Sequence, residues 1–314
     1  MRQQRNAFHF HHMDDRENYK AGYVAIVGEP NVGKSTLMNA LLDQKLSIVA
    51  SRPQTTRQRV LGILSTSEAQ VIFLDTPGLL KPRYLLHKKM IQSAELALQD
   101  SDVVLVLTEV ALGDSIPEPV ESALAQILGK KKTILVLNKV DTIHRDEVLP
   151  LIEAFSKREL FNDIVPVSAL RRENLNELLR TILKDLPVHP PFYPPDIVSE
   201  QPERFFAAEL VREKIFETFR EEIPYSTAVE IIEFKERERG KVYISADIIV
   251  ERDSQKGILI GKRGAALKDI GMRARKDIEE FIGRAVYLEL RVKVRERWRE
   301  DEGWLRRLGY SPDV

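Results

Sequence analysis

Two rhythms of apolar and polar positions divide the chain. In the first half the apolar runs are short and unbroken: Tyr23–Val27, Val103–Leu107, Thr133–Leu137 and Ile164–Val167, with a strand pair over Val60–Leu64 and Gln70–Leu74 joined by Ser65-Thr66-Ser67. Runs of this length, rich in branched residues, predict strands buried on both faces, as in a parallel sheet. Between them apolar residues recur at helical spacing over Thr36–Leu42, the later part of Leu79–Gln99, Val120–Leu128, Leu149–Leu160 and Leu175–Leu186. Strands alternating with helices predict an α/β fold with a doubly wound sheet. Leu186–Pro195 is too rich in proline for the interior of a helix or sheet and predicts a semi-rigid linker. Beyond it the rhythm changes. A helix over Glu203–Glu221 precedes strands Ala228–Lys235 and Lys241–Glu251 around the charged hairpin Glu236–Gly240. A short helix Gln255–Ile260, a helix Ala265–Phe281 and a strand Ala285–Val294 follow, an α+β order. The expected division is a disordered tail over 1–20, an α/β domain over 21–186, a linker over 187–203 and an α+β domain over 204–314.

The chemistry sits where the strands end. Gly28-Glu29-Pro30-Asn31-Val32-Gly33-Lys34-Ser35 lies between the first strand and the first helix, the context of a phosphate-binding loop. Glycines let successive N–H groups turn toward an anion, and the helix N-terminus adds its dipole. Lys34 reaches the β- and γ-phosphates and Ser35 offers its hydroxyl to magnesium; Thr36 belongs to the same binding set. Asp75-Thr76-Pro77-Gly78 ends the next strand, in the crevice where such sheets bind ligands. Asp75 holds magnesium through water and Gly78 offers its N–H to the γ-phosphate. In the polar stretch Leu46–Arg59, Thr56 is preferred to Thr55 as the threonine that meets magnesium and the γ-phosphate. Asn138-Lys139-Val140-Asp141 then selects the base. The Asp141 carboxylate accepts from N1–H and N2–H₂ of guanine, donors that adenine lacks; Asn138 bonds the O6/N7 side and the Lys139 stem covers the ring. The backbone of Ser168-Ala169-Leu170 can meet O6. Lys34, Asn31, Thr56 and Gly78 form the expected catalytic set, and Ser35, Thr56 and Asp75 the metal set. Leu79 stands where related enzymes carry a water-orienting glutamine, so the water must be aligned by other means.

In the second half, Gly261-Lys262-Arg263-Gly264 joins two helices in the order of a type II KH module, whose Gly-x-x-Gly loop clamps about four nucleotides of single-stranded RNA. Lys262 and Arg263 supply charge, with Lys256, Lys268, Arg273, Arg275 and Lys276 around them, and Ile258, Leu259 and Ile260 are the expected base contacts. Arg291–Arg307, with Trp298 and Trp304, reads either as a nucleic-acid patch or as a salt-bridged, solvated helix.

Composition narrows the alternatives. The chain has 314 residues, 43% of them hydrophobic, so two cores can be buried. It has no cysteine, which excludes disulfides and cysteine–zinc sites. Lys+Arg and Asp+Glu balance at 48 each, and no apolar run approaches the ~20 residues of a membrane span. Met1–Lys20 is polar and carries His9, His11 and His12; it reads as a tail or a start-site artefact, with Met13 an alternative start.

Taken together, Gly28–Ser35, Asp75–Gly78, Asn138–Asp141, Ser168–Leu170 and the KH-like Gly261–Gly264 resemble the Era family of bacterial ribosome-assembly GTPases, over roughly residues 14–310. The resemblance implies a doubly wound P-loop GTPase domain joined to a KH domain, hydrolysis of GTP to GDP with Mg2+, and binding to the 3′ end of small-subunit ribosomal RNA. It further implies a role in maturation of the small ribosomal subunit, and a cytoplasmic, monomeric protein partly peripheral on the inner membrane. Asn31 resembles the asparagine that holds K+ in related GTPases, or else braces the loop. In this reading nucleotide state biases the KH module across the proline linker. Two other classes, an NTP-driven enzyme acting on RNA and a lipid-binding peripheral protein, lack a second set of catalytic groups and a basic amphipathic helix respectively.

Overall fold

The computed structural model describes residues 18–50, 52–236 and 240–310. The histidines expected in a disordered tail lie outside the described residues. The first half contains β1 (Lys20–Gly28), α1 (Lys34–Leu42), β2 (Val60–Ser65), β3 (Ala69–Asp75), α2 (Leu85–Asp100), β4 (Val103–Glu109), α3 (Glu118–Ala125), β5 (Lys132–Asn138), α4 (Arg145–Ser156), β6 (Asp163–Pro166) and α5 (Leu175–Asp185). Six strands form one sheet in the order β2-β3-β1-β4-β5-β6. All neighbours run parallel except β2, which is antiparallel to β3. The unbroken apolar runs are explained by alternation: Val24 and Ile26 of β1 pack with Leu37 and Met38 of α1, while Ala25 and Val27 pack with Ala94 and Leu98 of α2. Parallel strands bring Gly28, Asp75 and Asn138 to one edge of the sheet.

Several boundaries differ from expectation by a few residues, and two of them have a clear cause. β1 begins at Lys20, whose Nζ donates to the carbonyls of Leu183 (2.6 Å) and Lys184 (2.9 Å) at the end of α5. α4 begins at Arg145 rather than Leu149. Its first turn is polar and carries no apolar period; a capping box starts it, with the His144 backbone N–H donating to Glu147 Oε1 at 3.0 Å.

The proline-rich stretch after α5 is bound along the side of the domain. Gln70 Oε1 accepts from the backbone N–H groups of Phe192 (2.8 Å) and Tyr193 (3.0 Å). Farther on, Val198 O accepts from Ile63 N–H of β2 at 2.9 Å. Gln201 Nε2 donates to Arg59 O at 3.2 Å.

The second half contains α6 (Glu203–Thr218), α7 (Ile223–Ser226), β7 (Ala228–Lys235), β8 (Val242–Val250), α8 (Asp253–Ile260), α9 (Ala265–Ile282), β9 (Val286–Val294) and α10 (Glu302–Arg307). Its sheet has the order β7-β8-β9, antiparallel between β7 and β8 and parallel between β8 and β9. Val211, Ile215, Ile244, Ile248, Ile270 and Ile278 form its core. The arginine-rich end is ion-paired, Arg299 with Glu251 and Arg307 with Glu230, but it is not wholly solvated. Trp298 is fully buried, its indole N–H donates to Ser226 O at 2.9 Å, and it packs with Leu305, Tyr310 and, across the halves, Leu86 and Met90 of α2. The two halves therefore touch directly. No helix among the described residues is long and apolar enough to cross a membrane.

Candidate functional site

The phosphate loop has the backbone its sequence demands. Gly28 and Gly33 have φ of 153° and 101°, and Asn31 adopts a left-handed 71°. At Gly33 a Cβ would lie 2.3 Å from Asn138 Nδ2, and at Gly78 one would lie 2.6 Å from Pro30 N. Only glycine lets the loop after β3 and the strand end of β5 approach this closely. Lys34 Nζ donates to Glu29 O (2.7 Å) and Gly28 O (3.3 Å). Burial pushes its pKa down to about 8, against the attraction of Asp75 and Glu29.

The three residues of the expected metal set come together. Ser35 Oγ donates to Asp75 Oδ2 at 2.7 Å, and Thr56 Oγ1 lies 2.8 Å from Ser35 Oγ and 3.3 Å from Asp75 Oδ2. Thr55 instead turns its carbonyl to Arg212. Burial raises the Asp75 pKa, opposed by its bond from Ser35 and by Lys34. Asp75 Oδ1 is buried without a hydrogen-bond partner. An all-oxygen set with an unpaired carboxylate oxygen fits a small, hard divalent ion such as magnesium. Thr76 does not face the crevice: its hydroxyl donates to Ile26 O at 2.7 Å. Leu79 is 3% exposed, in the apolar core between sheet and α2.

At the base-selecting end Asn138 is engaged by the protein through one N–H of its amide, the second N–H being left over for a base. Its Nδ2 donates to Val32 O at 2.8 Å and its Oδ1 accepts from Ala169 N–H at 3.0 Å, so it staples the phosphate loop to Ser168–Leu170. Being 2% exposed, it needs these partners, which use one of its two Nδ2 hydrogens. Asp141 Oδ1 accepts from Ser168 Oγ at 2.6 Å, which holds the carboxylate in place. Lys139 Nζ donates to Asn31 O at 3.0 Å and pairs with Glu109, so its stem lies across the site.

The polar stretch over the phosphate crevice is held by the second half of the chain. Glu213 of α6 accepts from Lys45 Nζ (2.6 Å) and from Val49 N–H (3.1 Å). Arg57, next to Thr56, is buried in the second half. Its guanidinium donates to the carbonyls of Thr227 (2.7 Å), Pro224 (2.8 Å) and Tyr225 (3.0 Å), between the rings of Phe216 and Trp298. Gln58 Nε2 reaches Leu308 O at 3.0 Å. Arg57, Arg212, Glu213 and Trp298 were missed in the sequence, where each looks like a surface charge or a lone aromatic residue.

In the second half, Gly261 (φ 72°), Arg263 (φ 53°) and Gly264 (φ 78°) form the loop between α8 and α9, with Lys262 and Arg263 exposed. Leu259 does not meet a ligand: it is fully buried in the core, on the inner face of α8. Ile258, one position earlier on the helix, is 48% exposed and Ile260 is half-buried. Arg273 is turned to α6, bonded to Glu217 and Thr218. Beside the loop, a groove of about 380 Å³ runs between α9 and β9, lined by Leu267, Lys268, Met272, Arg275 and Leu290. Leu267, Lys268, Met272 and Arg275 share one face of α9, which the sequence shows once the helix is placed, and Leu290 comes from β9.

Residues 23–139 match the model of the 50S ribosome-binding GTPase family, and residues 222–299 that of the KH domain. GTPase Era of Geobacter metallireducens is 46% identical over 296 residues, covering 93% of this chain and 98% of its own. The chloroplastic GTPase ERA1 of Zea mays is 43% identical over 302 residues, 95% of this chain and 72% of its own. A crystal structure of Era in complex with MgGDPNP and nucleotides 1506–1542 of 16S ribosomal RNA superposes with a TM-score of 0.89 at 45% identity, covering 93% of this chain and 99% of that one.

Proposed function

This chain belongs to the Era family of GTPases, and we propose on that premise that it is a switch whose nucleotide loops are read directly by its RNA-binding half. It binds and hydrolyses GTP, binds ribosomal RNA and serves ribosome assembly. The RNA segment is the single-stranded 3′ end of small-subunit ribosomal RNA, held by Gly261–Gly264 and by the groove along α9. The γ-phosphate lies among Lys34, Thr56 and Gly78, and the guanine against Asp141, Lys139 and Ser168–Leu170. Magnesium is held by Ser35, Thr56 and Asp75 and supplies positive charge to the phosphate oxygens. Potassium at Asn31 is part of the same reading. The functional division is a tail over 1–20, a GTPase domain over 21–186, a linker over 187–203 and a KH domain over 204–314. The protein acts as a monomer in the cytoplasm, partly peripheral on the inner membrane.

One observation carries the switch: Thr56 bonds Ser35 and Asp75, and the next residue, Arg57, is anchored in the second half. Any change at Thr56 is thus one peptide unit from the RNA-binding body. The test is to replace Lys262 and Arg263 by Asp. Two carboxylates facing phosphates should lower affinity for single-stranded RNA by about 10²-fold or more. Both side chains are exposed and outside the interface, so basal hydrolysis persists while stimulation by RNA disappears. Retained RNA affinity would overturn the assignment of this loop.

A further inference from the structure

With Leu79 turned into the core, the crevice beside the phosphate loop has to draw its polar side chains from elsewhere. Gln54 lines it together with Asn31, Lys34, Ser35 and Thr56. Gln54 adopts φ of 63°, a left-handed conformation costly for a residue with a Cβ. Its Oε1 lies 3.2 Å from Nε2 of His87. The other ring nitrogen of His87, Nδ1, accepts the backbone N–H of Arg83 at 3.3 Å. The ring proton therefore sits on Nε2 and is donated to Gln54 Oε1. His87 is 3% exposed and lies against the ring of Tyr84. Burial, with Arg57, Arg299 and Arg83 nearby, pushes its pKa down to about 4, so it stays neutral and keeps this tautomer.

With one lone pair of Oε1 taken by His87, the free donors of the Gln54 amide are its two N–H groups. A donor cannot take a proton from water, so this group is no general base. It suits a phosphoryl oxygen, where negative charge is spread during transfer.

We propose that Gln54 is a catalytic residue of GTP hydrolysis, its side-chain N–H₂ donating to an oxygen of the transferred γ-phosphoryl group, with His87 as its positioning residue. Gln54 makes and breaks no covalent bond: the bond from the γ-phosphorus to GDP breaks and that to water oxygen forms, as in the established reaction. The inference rests on the proposed placement of the γ-phosphate among Lys34, Thr56 and Gly78.

The test measures single-turnover GTP hydrolysis, together with GTP and GDP affinities, in the full-length protein with magnesium. Gln54→Gly removes the side chain and relieves the backbone. Gln54→Asn keeps the amide one methylene short in a residue that tolerates the same φ. Both should slow hydrolysis by about 10- to 10²-fold and leave GDP affinity within about twofold. Gln54→Glu should be slower still and favour GDP over GTP. His87→Leu should slow hydrolysis about 10-fold, and His87→Gln, which keeps a donor, should recover most of it. An unchanged rate in Gln54→Gly overturns the role of Gln54, as does an equal loss of GTP and GDP affinity, which would mark a merely structural loop residue. The placement of the phosphates is tested apart from this: GDP affinity untouched by Lys34→Ala overturns the placement, whatever Gln54 does.

Discussion

Replacing Arg57 should uncouple the two halves of the molecule. Its guanidinium makes three hydrogen bonds of 2.7–3.0 Å to main-chain carbonyls of the second half. Each charge-assisted bond of this kind contributes about 1.5–3 kcal/mol. Arg57→Met keeps much of the apolar contact with Phe216 and Trp298 and restores the desolvation cost of a buried cation, which here lowers the Arg57 pKa. It also leaves three buried carbonyls without a donor, at about 1–3 kcal/mol each before any water enters. These terms are not additive, and the gain from no longer burying a cation offsets part of them, so the expected loss of docking free energy is about 2–4 kcal/mol, the cost of one or two unpaired carbonyls. Arg57→Lys can reach fewer of the carbonyls and should lie between the two. The assay is calorimetric unfolding of the full chain. The native protein should unfold with coupled halves, whereas Arg57→Met should show two resolved transitions and faster amide exchange in the Leu46–Arg59 stretch. A single transition in Arg57→Met, with its midpoint unmoved, would refute the reasoning, because the interface would then be held elsewhere.

Two further outcomes are expected. Asp141→Asn should shift preference from GTP toward xanthosine triphosphate, whose 2-oxo group needs a donor; titration with both nucleotides checks it, and an unaltered preference would remove Asp141 from base selection. Hydrolysis should run faster in KCl than in matched NaCl, and Asn31→Ala should abolish the difference; equal rates in the two salts for the native protein would dismiss a potassium site.

The strands and the longer helices of both halves were legible because each has a local period or an unbroken apolar run, whereas the short helix Ile223–Ser226 has neither. The nucleotide motifs were legible because their spacing relative to strand ends is itself the constraint: Ser35 and Asp75 meet only because β1 and β3 are parallel neighbours. Asn138 shows the limit of that reasoning. Its position at the strand end is legible, but an amide can serve a ligand and a neighbouring loop at once, and its bonds to Val32 and Ala169 appear only in the fold. Leu259 failed as a base contact, since three consecutive apolar residues on a helix cannot all face outward. The joint between the halves left no local signal at all. Arg57 is a charged residue in a polar stretch and Arg212 and Glu213 are charged residues on a helix, and only tertiary contacts 157 to 170 residues apart in sequence make them a buried anchor.

The bound proline-rich stretch has a consequence for how the molecule meets copies of itself. β2 is the outermost strand on its side of the sheet, and such an edge ordinarily offers a row of free N–H and C=O groups to any other extended chain. Here Ile63 N–H is occupied by Val198 O, Leu61 O accepts from Ser199 Oγ, and Leu61 N–H donates to Gln201 Oε1. A segment bearing Pro187, Pro190, Pro191, Pro194, Pro195 and Pro202 has few backbone donors of its own to pass the pairing on. The chain that joins the two halves thus also closes this edge of the sheet against intermolecular strand addition, a protection from aggregation built into the connection itself.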